Sequence, residues 1–170
     1  DRIVGAPGGV KRDVLMLQKY PGIADIAIPY QEGTINIEEL ANIESDLALV
    51  RRSTADSPGE VEKLDKLGIP YVVVDYTSIE ELRVAIRVVG DVFDREAEAD
   101  EFLEFYDDTL GLVESRIAGL PQSDRPRVYH AVNEASRTDR AGDICAEITD
   151  LAGISNVSVD SESSLVSEAT

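Results

Sequence analysis

EAEADEFLEFYDDTLGLVESRIA, residues Glu96 to Ala118, is the stretch whose reading decides the architecture. It holds no proline. Ala99, Phe102, Leu103, Tyr106, Leu110, Val113 and Ile117 recur at spacings of three and four, the signature of one apolar helix face. Gly111 costs about 1 kcal/mol of helix propensity but does not end the pattern. Gly119-Leu120-Pro121 does, and Gln122 to Pro126 reads as a polar linker. A helix of about 23 residues runs roughly 35 Å, the width of a small domain. Such a rod joins two lobes more naturally than it packs inside one.

Upstream, short apolar runs alternate with short amphipathic segments, the pattern of an α/β unit. Ile3-Val4, Ile26–Ile28, Asp46–Val50 and Tyr71–Val74 read as strands, the last apolar throughout, as in a parallel sheet buried on both faces. Between them, Val10 to Tyr20 reads as one helix ended by Pro21-Gly22. Asn36 starts another, with Glu39 as its capping-box partner. Ser57-Pro58-Gly59-Glu60 starts a third, which Gly68 stops. Ser78 and Glu81 open a fourth, whose stripe is Ile79, Leu82, Ala85, Ile86 and Val89, with a break at Gly90 to Asp94. Downstream of the rod come a strand, Val128–Val132, a loop, Asn133 to Arg140, and a helix carrying Ile144, Ile148, Leu151 and Ala152, closed by Gly153. The expected fold class is therefore α/β: a parallel-sheet N-terminal lobe over residues 1–94, a connecting helix over 95–120, and the start of a second α/β lobe over 121–170. No repeat of solenoid length is present.

The net charge of −18 over 170 residues argues against a nucleic-acid or anionic-membrane surface, which would repel it. The single cysteine, Cys145, leaves no intrachain disulfide and is expected as a small buried apolar residue. Nothing reads as a signal peptide or a membrane span. The first residues already read as a core strand and the last, Ser161 to Thr170, carry no stop signal, as in a piece trimmed at both ends.

The inventory for catalysis is thin. One histidine, His130, rules out a multi-histidine zinc site within the chain. It is expected on a strand, pointing into a cleft or the core. No serine sits in a Gly-x-Ser-x-Gly elbow. Gly5-Ala6-Pro7-Gly8-Gly9 lacks the dinucleotide spacing, and no Gly-Lys-Ser/Thr occurs. In a parallel sheet, ligands sit beyond the carboxyl ends of the strands. The loops expected there bring Tyr30, Gln31, Arg51, Arg52, Ser53, Tyr76 and Thr77 to one edge, and Arg137 and Arg140 to the matching edge of the second lobe. Arginines and tyrosines converging on a cleft suit an anionic, aromatic or metal-chelate ligand.

Several segments together resemble a known family: Asn36-Ile37-Glu38-Glu39-Leu40-Ala41, Ser45 to Val50, Leu64 to Asp75 with the capped helix at Ser78, Arg125-Pro126-Arg127-Val128-Tyr129, and Leu151 to Val157. They are similar, in order and spacing, to the substrate-binding proteins of ABC importers for iron–siderophores, haem and cobalamin, the class with one long linking helix. The resemblance implies a receptor without catalytic activity or intrinsic cofactor. It implies a periplasmic or extracytoplasmic location, touching the membrane only through a lost lipid anchor or the permease. The implied partners are a small metal-chelate ligand and an ABC permease dimer with its ATPase. Glu38 matches a glutamate that docks on the permease; Val166-Ser167-Glu168 is a poor match to the second such position. Departures from the family pattern are Glu44-Ser45-Asp46 for Lys-Pro-Asp and Gly153-Ile154 for Gly-Gly. The arginines favour an anionic iron–siderophore over cobalamin; haem would want an axial ligand, for which Tyr30, Tyr76 or His130 could serve. Two alternatives stay open: a Rossmann-like nucleotide-binding enzyme domain, and a sensor domain reusing the receptor fold.

Overall fold

The computed structural model describes residues 3–159. The chain divides into two compact units, Asp1–Val74 and Asp75–Thr170.

In the first unit, Ala48–Val50 (β3) and Tyr71–Val73 (β4) pair in parallel, Ala48 opposite Tyr71 and Val50 opposite Val73. The crossover between them runs through Arg52–Ala55 (α3) and Pro58–Leu67 (α4). Its core is Ile35, Leu40, Val50, Leu64 and Ile69. Leu64 is 1% exposed and is the anchor of α4. Gly68 ends α4 at φ +66°, a left-handed conformation that costs glycine nothing, and the Ile69 amide turns back to the Leu64 carbonyl at 3.1 Å.

Several local expectations fail here: Ile3-Val4 forms no strand, and elsewhere a side chain claims a backbone donor. Val10 to Tyr20 is not one helix but a 3₁₀ turn, Val10–Arg12, and a short helix, Val14–Lys19 (α1). Asp13 breaks it, turning extended and accepting from the Leu15 and Met16 amides. Ile26–Ile28 forms no strand, only a parallel bridge of Ala27 to Gly5. The Ile28 amide donates instead to Glu39 at 2.9 Å, so Glu39 does not close the capping box on Asn36. Asn36 still caps Ile37–Asn42 (α2) through the Glu38 and Glu39 amides. Ser57 makes no side-chain cap bond, and Glu60 reaches back to the Ile35 amide at 2.6 Å.

In the second unit the expected rod exists as Glu96–Ile117 (α6), continuous over 22 residues. Ala99 and Leu103 are its buried residues, whereas Phe102, which fits the same periodicity, is 48% exposed and stacks on Tyr106. The preceding helix, Ile79–Phe93 (α5), does not break at Gly90. Gly90 is buried against α6, where a Cβ would lie 2.7 Å from that of Ala99. The chain turns at Asp94, which adopts φ +53°. Arg83 of α5 also meets Asp107 of α6 at 2.7 Å, an exposed pair worth about 0.2–1 kcal/mol.

Arg127–Val128 (β5) pairs in parallel with Ser155–Asn156 (β6), Val128 opposite Asn156. The expected strand to Val132 stops at Val128; beyond it the chain folds on itself, with an antiparallel bridge of Ala131 to Thr138 and the Val132 amide on the Arg137 carbonyl at 2.8 Å. Ile144–Leu151 (α7) precedes β6 and ends before Gly153, at φ +73°. Glu147 of α7 accepts from the Ile79 amide in the first turn of α5, at 2.7 Å. Cys145 is exposed, against expectation: Ala146 takes the inward position of that turn. The α/β class itself holds, with small parallel sheets and long helices. Among the described residues no helix is long and apolar enough to cross a membrane.

Candidate functional site

In the first unit, β3 delivers Arg51 and Arg52 directly: Arg51 is the N-cap of α3 and Arg52 its first residue, both exposed. Tyr30 arrives by another route. It is not in a loop after a parallel strand but in Tyr30–Gln31 (β1), which pairs antiparallel with Thr34–Ile35 (β2). Glu32 and Gly33 between them adopt φ +51° and +83°, the geometry of a tight two-residue hairpin turn. The hairpin sets the Tyr30 hydroxyl 3.3 Å from Oγ1 of buried Thr54 in α3. Tyr30 and the two arginines are thus brought to the same turn. Glu38 stands elsewhere in this unit, exposed in the first turn of α2.

In the second unit, Tyr76 is 43% exposed just before α5. Thr77 beside it is tied by amide and hydroxyl to Glu81, at 2.7 and 2.8 Å. Arg137 and Arg140 lie in the loop that follows β5, both exposed. The Arg140 amide donates to Asp143 at 2.8 Å, and the Tyr129 hydroxyl ties the loop by donating to the Ala135 carbonyl at 2.7 Å.

The same loop carries a network built around Asp139, which no motif in the sequence singles out. His130, two residues beyond β5, sits in this loop rather than on a strand, and its Nδ1 is 2.7 Å from Asp139 Oδ2. Asn156 Nδ2 approaches the same oxygen at 3.3 Å. Asn156 Oδ1 in turn accepts from the amide and hydroxyl of Ser158, at 3.2 and 2.6 Å. Thr138 Oγ1 is 2.9 Å from the His130 carbonyl and 2.7 Å from Ser158 Oγ. The one sequence signal for this cluster is placement: His130 and Ser158 each stand two residues past the carboxyl end of a parallel strand.

An open cavity of about 250 Å³ lies beside α7, lined by Ala146, Glu147, Asp150, Ile154 and Asn156 among others. Its polar groups are already engaged: Glu147 with Ile79, Asp150 with Arg125, Asn156 with Asp139. Among the described residues no group of three or more His, Cys, Asp or Glu could hold a metal ion by itself. Val166-Ser167-Glu168 lies outside the described residues.

Residues 20–165 match the family model described as periplasmic binding protein. No curated protein matches the chain. Among solved structures, the molybdate periplasmic binding protein MolA of Haemophilus influenzae shares 19% identity at a TM-score of 0.79, over 92% of this chain and 54% of its own. The periplasmic vitamin B12 binding protein BtuF of Vibrio cholerae shares 19% at 0.66, over 94% and 59%. A possible iron-binding periplasmic solute-binding protein of Staphylococcus epidermidis shares 20% at 0.64, over 83% and 55%. The chain spans little more than half the length of these structures.

Proposed function

The chain belongs to the periplasmic binding protein family, and from that premise we propose that it is the solute-binding receptor of an ABC importer, acting outside the cytoplasmic membrane without catalysis. The match over residues 20–165 is the observation that carries this reading. Its ligand is an iron chelate of the siderophore type or a related metal-containing solute. Three named relatives support the class: their ligands are molybdate, vitamin B12 and, for one described as possible, iron. Arg51, Arg52, Arg137 and Arg140 favour an anionic chelate, to which a guanidinium offers a planar, bidentate donor. Tyr30 and Tyr76 add flat, amphipathic surface. Residues 1–94 act as the first lobe, 95–120 as the connecting helix and 121–170 as part of the second. Glu38 docks on the permease, where an exposed carboxylate in a first helical turn is presented at no cost to its own helix.

The test is native mass spectrometry of the protein purified from its own host, followed by a thermal-shift series with ferric chelates, NAD and ATP. A co-purifying metal chelate, or a melting temperature raised by ferric chelates alone, supports the receptor. Stabilisation by NAD or ATP and by no chelate overturns it in favour of a nucleotide-binding domain. In transport assays of the complete protein, Glu38→Ala is expected to lower uptake while leaving chelate affinity unchanged.

A further inference from the structure

The Asp139 network fixes one histidine nitrogen and leaves the other available. Asn156 Oδ1 accepts from the backbone amide of Ser158, and an amide can only donate. That settles which way Asn156 points, so its Nδ2 donates to Asp139. A carboxylate at Asp139 can only accept, so the 2.7 Å contact is then a hydrogen bond donated by His130 Nδ1. In the neutral ring the lone pair is then on Nε2. The exposures complete the picture: the Asp139 side chain is 4% exposed, that of His130 43%. A buried carboxylate thus holds an imidazole whose remaining nitrogen is accessible, at the carboxyl edge of β5 and β6, in the loop that carries Arg137 and Arg140.

A carboxylate behind a histidine fixes its tautomer and the orientation of its ring, the arrangement found behind metal-ligating imidazoles. We propose that His130, held by Asp139, offers Nε2 to the metal of the bound chelate. One nitrogen fills one coordination position, so the preferred ligand is a metal chelate whose chelator leaves a position open or exchangeable. Asp139 and Asn156 are positioning residues; neither touches the ligand. The inference rests on the receptor reading and narrows its ligand class.

Hemin is a suitable probe, because its ferric centre has open axial positions and its spectrum reports their occupant. A ferric trihydroxamate with all six positions filled is the comparison. The intact chain is expected to bind hemin with the absorption and electron paramagnetic resonance of a nitrogen-ligated ferric centre. His130→Ala loses that signature and at least ~10-fold in affinity, and free imidazole restores the signature. Asp139→Asn keeps the signature but weakens hemin binding by ~10- to 100-fold. Trihydroxamate affinity stays the same in all variants. Circular dichroism checks folding. Should the alanine variant not fold, His130→Tyr serves, since a phenolate ligand gives a distinct charge-transfer spectrum. An unchanged hemin spectrum in the His130 variants overturns the proposal. So does weaker binding without spectral change, which would make Nε2 a hydrogen-bond acceptor only. Trihydroxamate binding without hemin binding removes the coordination role and leaves the receptor standing. Binding of neither, with no metal chelate co-purifying, removes both.

Discussion

Glu60 shows how much one carboxylate can organise. Its Oε2 accepts from the Ile35 amide at 2.6 Å and its Oε1 from Lys63 at 2.9 Å, while Lys63 also donates to the Ile35 carbonyl at 2.9 Å. Both backbone groups of a buried strand residue are thereby satisfied by α4. Burial pushes the Glu60 pKa up, but the Ile35 N–H bond and the Lys63 ammonium together outweigh it and hold the carboxyl below 4.5. A pKa depressed in the folded state adds stability that is complete above the unfolded value and is lost as pH falls through the folded one. Glu60→Gln should thus lower stability at pH 7 by about 1–2 kcal/mol. In urea titrations, the gap between variant and parent should narrow as pH drops from 4.5 downward. A gap that is constant with pH would mean the ionised form does no work here.

At the scale of elements, the α5–α6 pair turns on Gly90. A Cβ there would meet the Ala99 Cβ at 2.7 Å and the Arg95 carbonyl oxygen at 3.3 Å, neither of which can swing aside. Gly90→Ala should therefore destabilise by about 1–3 kcal/mol, although alanine is the better helix former by ~1 kcal/mol. Thermal melting decides between the two effects; a raised melting temperature would show the contact to be slack. Gly90 also explains why the end of α5 was not legible. In one dimension a glycine followed by Asp91 reads as a stop; its reason for being there is a neighbouring helix. By contrast α6 was legible along its whole length, because its three-four spacing is local, and β3 and β4 were legible as short apolar runs; β6, only Ser155–Asn156, carries no strand signal and is fixed by its pairing with β5. Ile26–Ile28 has the composition of a strand and fails as one because Glu39, eleven residues on, takes its amide. In the candidate site, Arg51 and Arg52 followed from their place after β3. Tyr30 needed the hairpin at Glu32-Gly33. Asp139 could not be read at all, since its partners lie 9 and 17 positions away.

At the scale of the molecule, charge dominates. A net −18 makes every compact arrangement of this chain self-repelling, and mobile ions screen that repulsion over about 10 Å at 0.1 M and 3 Å at 1 M. Melting temperature should rise between low salt and 1 M sodium chloride. Each kcal/mol of relieved repulsion is worth about 2–4 °C in a chain of this size. A scan by differential calorimetry checks this; no rise would mean that Lys and Arg are already placed to cancel the excess locally.

The bond from the Ile79 amide to Glu147 has a consequence for measurement. First-turn amides of a helix ordinarily swap their protons with solvent quickly, having no carbonyl behind them. This one borrows its acceptor from 68 positions downstream. In heavy water it will hold its proton for as long as the α7 carboxylate stays in place, so its deuteration rate is a built-in clock for the departure of that helix from the start of α5.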